Sequence, residues 1–278
     1  MKVLNIPQSL IEKIVRKNKV KVNRKRTKTS HRVQFNDVVV IYGLSGIKER
    51  AKLKKEKYKS NNKEKKRYSD FVLEDNDNFI VINKPNGIPV QSGTKSFKNM
   101  IDILKDTKFF YEHKPYIVHR LDKDTSGLLL VAKNREYAQL FTSLFRIRKI
   151  HKTYLAIVYG KIKKKKMTLI DDLILFENGK KIIQKAVTHV NLIKQSDDYS
   201  LIELNPITGR KHQLRKQLLN IGHSIIGDDK YSSIKYSQIK KNKFKPLMLH
   251  AFKLKFMIKN VKYNFKANYN EQFEKFIK

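Results

Sequence analysis

One polar stretch between two apolar runs concentrates the reactive side chains of this chain: His119-Arg120-Leu121-Asp122-Lys123-Asp124-Thr125-Ser126-Gly127. A loop mounted on strands suits catalysis, because the scaffold fixes the groups while the loop leaves them accessible. Asp122 and Asp124 are two residues apart, so an extended backbone would turn both carboxylates to one side. Such a pair can hold a divalent cation for phosphoryl chemistry. Against that, Arg120 and Lys123 stand alongside and compete with a cation, and no further acidic or His ligand cluster accompanies the pair. The plainer use of this composition is a surface turn in which Asp caps the local backbone.

A second stretch is Asn205-Pro206-Ile207-Thr208-Gly209-Arg210-Lys211-His212-Gln213-Leu214-Arg215. Thr208 is predicted to cap a helix and leave Arg210, His212 and Arg215 on its first turns, a ready phosphate site. His212 also reads as a partly buried residue with its hydrogen bonds satisfied. Arg215 follows Leu214 by about 100° of helix rotation, at the margin of an apolar stripe. An Arg there needs a carboxylate partner, and Asp122 is the candidate. A third stretch is Lys152-Thr153-Tyr154, whose tyrosine on spacing alone is more often core than site. Lys84-Pro85-Asn86-Gly87 reads as a tight turn, and the isolated Gly43 and Gly46 form no phosphate loop.

The elements that must position these residues follow from periodicity. Residues 1–46 read as a small unit. Leu10, Ile11, Ile14 and Val15 have helical spacing, Asn18 is a helix stop, Val20 and Val22 alternate before a turn at Asn23-Arg24, and Val38 to Ile41 is a short strand. Residues 47–69, nearly all charge and Asn, read as a basic linker with too little apolar surface to fold alone. From Asp70 to the end, 70–278, the chain reads as globular. Strands are predicted at Phe79–Asn83, Leu128–Ala132, Lys152–Tyr159 and Tyr199–Leu204. Asn134 caps a helix carrying Tyr137, Leu140, Phe141 and Leu144, and a second helix carries Leu214, Leu218 and Ile221 and stops at Gly222. Without regular βαβ alternation, the expected class is α+β with a mixed sheet.

Composition narrows the partner. The 278 residues carry 62 Lys and Arg against 25 Asp and Glu, a net charge of +37. The enrichment in Lys, Asn and Ile that an AT-rich genome produces accounts for part of this. The rest points to a polyanion, and nucleic acid is favoured over a membrane surface because no long basic amphipathic helix is present. With no cysteine, disulfides, thiolate zinc sites and a Cys nucleophile are excluded. No apolar run approaches a membrane span, and the first residues lack the apolar core of a signal peptide. The expectation is a soluble, cytoplasmic protein, monomeric and not membrane-bound.

Taken together, these stretches resemble the RluA-type pseudouridine synthases, which isomerise uridines in structured RNA. Four blocks match in order: INKPNGIPVQ (82–91), HRLDKDTSGLLLVAKN (119–134), KTYLAIVYG (152–160) and PITGRKHQLR (206–215). GHSIIGDDKY (222–231) follows them, and LHAFKLKF (249–256) matches the family's closing strand. The resemblance implies a catalytic domain with a mixed, largely antiparallel sheet flanked by helices. It implies a reaction that detaches uracil from ribose, turns it and rejoins it through carbon, with no cofactor and no metal. Asp122 is by resemblance the group that acts on the sugar, Arg215 its cationic partner, and Tyr154 the ring that stacks on the base. Arg120 matches the residue that enters the RNA where the uridine flips out. His119, Thr125, Arg210, Lys211 and His212 are expected RNA contacts.

The N-terminal unit resembles the small S-four-type RNA-binding domain, starting inside its pattern and carrying Arg24 and Asn36 where such domains often have Gly. Its basic face, Arg16, Lys17, Lys19, Lys21, Arg24 and Lys25, is expected to grip phosphates. The layout resembles the branch that modifies large-subunit ribosomal RNA. The rival readings are a non-catalytic RNA-binding assembly protein on the same scaffold and a metal-dependent nuclease using Asp122 and Asp124.

Overall fold

Apolar spacing at Leu10, Ile14 and Val15 winds the first helix, α1 (Gln8–Arg16), and buries Ile14 and Val15 against Val20. The computed structural model describes residues 8–43, 58–92, 98–177, 180–232, 246–269 and 271–277. It divides the chain into two units, 1–57 and 58–278. In the first unit, α1 ends at Asn18, whose φ of 57° reverses the chain as expected. Strands β1 (Val20–Val22), β2 (Lys25–Arg26) and β3 (Val39–Ile41) follow in the order β2-β1-β3, all antiparallel. Arg24 and Asn36 have φ of 63° and 70°, the backbone region that glycine fills most easily.

The second unit begins before Asp70. Residues 47–57 of the predicted linker lie outside the described residues, but its end forms a helix, α2 (Asn62–Ser69). Asn61 Oδ1 accepts from Glu64 N at 2.9 Å and Glu64 Oε2 accepts from Asn61 N at 3.4 Å, a reciprocal cap. Glu64 also pairs with Lys98 and Tyr58. Tyr68 is buried among Ile80, Ile103 and Leu104. One cap at about 1 kcal/mol and one buried aromatic at about 2 kcal/mol dock a helix whose own composition would leave it solvated. That is why local composition misread it.

The remaining elements are β4 (Val72–Asp75), β5 (Phe79–Lys84), α3 (Met100–Lys105), β6 (Tyr116–Ile117), β7 (Ser126–Ala132), α4 (Arg135–Arg146), β8 (His151–Tyr159), β9 (Lys166–Glu177), β10 (Lys180–Gln195), β11 (Tyr199–Pro206), α5 (Gln213–Asn220), β12 (Leu249–Ile258), β13 (Val261–Lys266) and α6 (Glu271–Ile277). Ten strands make one sheet in the order β4-β5-β7-β12-β8-β11-β10-β9, with β13 on β12 and β6 on β7. Among the described residues only the β7–β12 pair is parallel, so the sheet is mixed and largely antiparallel, as expected. Asn134 caps α4 by accepting from Tyr137 N at 2.9 Å. The long β9–β10 ribbon is the largest of the elements that local patterning did not reveal. Among the described residues no helix is long and apolar enough to cross a membrane.

The β7–β12 pairing fixes the polar loop that precedes β7. Gly127 opposes Ala251 with φ of +105°, and a Cβ there would lie 2.3 Å from the Ala251 carbonyl oxygen. Gly127→Ala should therefore lower the unfolding free energy by about 3 kcal/mol through strain and overpacking. The expected readout is a lower urea midpoint with unchanged slope; a wild-type midpoint would show that the two strands yield without cost.

Candidate active site

The polar loop does not run extended through its two carboxylates. Thr125 N donates to Asp122 O at 3.2 Å, closing a turn over Lys123 and Asp124. Asp122 is half-buried at a cleft while Asp124 is exposed, so the two do not act as a pair. Among the described residues no cluster of three metal-ligating side chains forms. The cleft encloses about 980 Å³ and is lined by Arg120, Asp122, Lys152, Tyr154, His212 and Arg215 among others.

Two buried side chains hold the loop from behind. Lys84, fully buried at the end of β5, donates from Nζ to Pro85 O, Ile88 O and Lys123 O at 2.8, 2.9 and 3.1 Å. The tight turn of 84–91 is thereby tied to the Asp122 loop. Burial pushes the Lys84 ammonium down to about 7, opposed by the charges of Asp124 and Asp122. His119 accepts the Leu130 N–H on Nε2 at 2.8 Å and lies 4.7 Å from the Phe145 ring. Burial, with the Lys152 charge, pushes it to about 3, so the ring is neutral with its proton on Nδ1. His119 thus stitches the loop to β7 while still lining the cleft. Thr125, 3% exposed, sits at the inner wall of the same cleft.

Arg215 enters the cleft from α5, and its main partner is one the sequence did not single out. Its Nε and Nη2 donate to Asp228 Oδ2 and Oδ1, both at 2.7 Å. Its Nη1 faces Asp122 Oδ2 at 3.6 Å. Asp228, 1% exposed, is further held by the backbone N–H groups of Lys230 and Tyr231 at 2.9 and 2.8 Å. Burial alone would raise its pKa, but the Arg215 and backbone hydrogen bonds outweigh that and hold it below the ordinary carboxylate range. Arg215 is therefore a charged bridge: two atoms are spent on Asp228 and one remains for Asp122. The signal that could have found Asp228 was its place in GHSIIGDDKY, directly after Gly227, whose φ of +78° lets the chain pass Pro246 where a Cβ would lie 2.1 Å from the carbonyl oxygen.

His212 supplies the second approach to Asp122, with Nε2 3.7 Å from Oδ1. Its Nδ1 hydrogen-bonds the Tyr231 hydroxyl at 2.8 Å. Burial lowers its pKa, partly opposed by Asp122. The helix start differs from expectation. α5 begins at Gln213, with His212 in a left-handed conformation at φ 54° before it. Thr208 Oγ1 instead accepts from Val187 N at 2.9 Å and donates to Gln213 Oε1 at 2.7 Å. Buried polar groups here clamp the 206–213 turn onto β10, and Arg210 and Lys211 stand exposed before the helix.

Tyr154 projects from β8, where it pairs with Leu204 and Ala251. It packs against apolar clusters on both sides and still lines the cleft. Burial and the Asp122 charge raise its hydroxyl above the usual tyrosine range. Lys152, two residues before it, is half-buried at the same cleft, and burial lowers its pKa. Arg120 is exposed at the rim. In the N-terminal unit Arg16, Lys17, Lys19, Arg24 and Lys25 are exposed, Arg16 pairing with Glu12 at 3.3 Å. Lys21 is half-buried, with its ammonium 5.3 Å from the Tyr42 ring centroid.

A ten-stranded mixed sheet that brings one carboxylate, one bridged arginine and one tyrosine to a single cleft has the layout of an enzyme scaffold. Residues 78–220 match the family model described as RNA pseudouridylate synthase. The chain belongs to the RNA pseudouridylate synthase family, in its RluA-type branch, and is an isomerase. It is similar to ribosomal large subunit pseudouridine synthase C of Buchnera aphidicola subsp. Baizongia pistaciae, 31% identical over 261 residues, covering 90% of this chain and 81% of the relative. It is similar also to the protein of that name from Rickettsia felis, 36% identical over 247 residues, covering 82% and 78%. Among solved structures it resembles human RNA pseudouridylate synthase domain containing 4, with a TM-score of 0.63 and 28% identity, covering 76% of this chain and 92% of that one.

Proposed function

We propose that this chain isomerises uridines of large-subunit ribosomal RNA, as a cytoplasmic monomer, with Asp122 acting on the ribose of a flipped nucleotide. The N1–C1′ bond breaks, a C5–C1′ bond forms, C5 loses a proton and N1 gains one, so the product is an isomer of the substrate. Asp122 either attacks C1′ as uracil leaves or takes the C2′ proton as uracil leaves to give a glycal-like intermediate, and both routes need its ionised carboxylate beside the ribose. The observation that carries this reading is the Asp122–Arg215–Asp228 bridge opening onto the cleft that Tyr154 lines. Tyr154 offers a flat face to the detached uracil while it turns. Lys152 and Arg210 offer cations to the phosphates on either side, and Arg120 at the rim fills the space the base leaves.

The choice of large-subunit RNA rests on the curated relatives, which carry that substrate in their names. The test incubates the protein with purified large-subunit RNA in chelator and maps pseudouridine by carbodiimide-dependent reverse-transcription stops. New stops at discrete loop or bulge uridines are expected. Binding without stops would favour a non-catalytic assembly protein, and magnesium-dependent strand scission would favour a nuclease.

A further inference from the structure

The N-terminal unit places an aromatic ring almost wholly in water. Phe35 is 95% exposed, and Val33 and Val38 beside it are 58% and 62% exposed. The turn that presents it is not loose. Asp37 N donates to Gln34 O at 3.2 Å, and Gln34 N donates to Asp37 Oδ2 at 2.8 Å. Asn23 locks the turn to the β1–β2 hairpin, donating to Asp37 Oδ1 at 2.6 Å and accepting from Val38 N at 2.9 Å. Asn36 takes the left-handed position at φ 70°. A ring so exposed, on a turn so tied, is pre-organised for contact and contributes nothing to the unit's own core of Ile14, Val15 and Val20.

The surroundings say what meets it. Residues 8–43 hold ten Lys and Arg against Glu12 and Asp37. Both acids are engaged within the unit, Glu12 by Arg16 and Asp37 by Asn23. Such a surface repels cationic partners and collects phosphates. An aromatic face set among cations is how single-stranded nucleic acid is bound: phosphates meet the charges and a base stacks on the ring.

We propose that the Gln34–Asp37 turn is a base-stacking station, in which Phe35 receives an unpaired base of the RNA while the neighbouring Lys and Arg hold its flanking phosphates. This deepens the reading of an RNA substrate and rests on it.

The test uses the full chain and a hairpin RNA with an unpaired loop. Phe35→Ala should weaken binding about 5- to 150-fold, the range measured for loss of one base–aromatic stack. The slope of log affinity against log salt should stay unchanged, because no phosphate contact is removed. Phe35→Leu, which keeps apolar area but no ring, should fall with it, and Phe35→Trp should hold. The chain has no tryptophan, so the indole of Phe35→Trp reports alone: its fluorescence should be quenched by the RNA and not by polyphosphate, which has charge without bases. Wild-type affinity in Phe35→Ala, or equal quenching by polyphosphate, overturns the proposal. So does loss of self-association in Phe35→Ala with RNA affinity intact, which would assign the turn to a protein contact. Because Phe35 is solvent-exposed, its removal leaves the fold in place. These arms read binding alone, so absence of pseudouridine in the wild-type assay would sink the reaction assignment and leave the Phe35 result standing.

Discussion

Asp122→Asn should abolish pseudouridine formation, lowering single-turnover product by a factor of about 10⁴ or more, the scale seen when an essential nucleophile is removed. The side chain keeps its size and one oxygen, but loses the charge that both attack at C1′ and proton removal at C2′ need. The fold should tolerate the change. Arg215 keeps both hydrogen bonds to Asp228 at 2.7 Å and loses only the looser 3.6 Å contact. Binding should hold or tighten slightly, since a negative charge leaves a surface that meets a polyanion. The pair of measurements is filter binding at fixed salt and carbodiimide mapping on the same RNA. Product within tenfold of wild type would show that another group acts on the sugar.

Asp228→Ala should be the most destabilising change at the site. Asp228 is 1% exposed and pairs bidentately with Arg215, which is 6% exposed. Removing one partner leaves a guanidinium buried without its counter-charge, which costs about 3–5 kcal/mol. It also frees Arg215 from the geometry that presents Nη1 to Asp122, so activity should fall in whatever protein remains folded. A double variant separates the two effects. Asp228→Ala with Arg215→Leu removes the stranded charge and should recover much of the stability, but no activity. Recovery of both would mean that Arg215 does not serve the reaction.

The same carboxylate predicts a pH dependence of stability. Its folded pKa lies below the ordinary value of about 3.9. The unfolded chain therefore binds more protons there in the window between the two values, and stability rises with pH across it. The contribution is complete above about pH 4 and is lost as pH falls through the folded pKa. Wild type should accordingly lose stability more steeply below pH 4 than Asp228→Ala, as read from urea midpoints in acidic buffers; parallel profiles would mean that the pair contributes no protonation linkage.

Much of this molecule was legible before any coordinates. The α4 cap at Asn134, the strand through Tyr154, the stop at Asn18 and the mixed sheet follow from local periodicity and capping chemistry, which act over a few residues. The three residues expected at the centre, Asp122, Tyr154 and Arg215, line one cleft. Failures of local reading came where distant partners decide. Residues 62–69 read as solvated linker because the surface that receives Tyr68 belongs to β5 and α3. Thr208 reads as a helix cap because nothing in its own segment shows the Val187 N–H that it accepts. The structural bond of His119 went unseen because Leu130, whose N–H it accepts, lies eleven residues away across a loop.

The amino-acid sequence by itself pointed to the reaction class through its resemblance to the RluA-type synthases, because that resemblance rests on an ordered set of blocks and the order survives in one dimension. Only the tertiary structure decided who pairs with whom. Arg215 could have spent its guanidinium on Asp122 alone, but the chain returns at Gly227 and brings Asp228 against its fork. A planar fork satisfied on one side by a buried carboxylate has one nitrogen left to offer the cleft, and no spacing rule along the chain encodes which carboxylate arrives first.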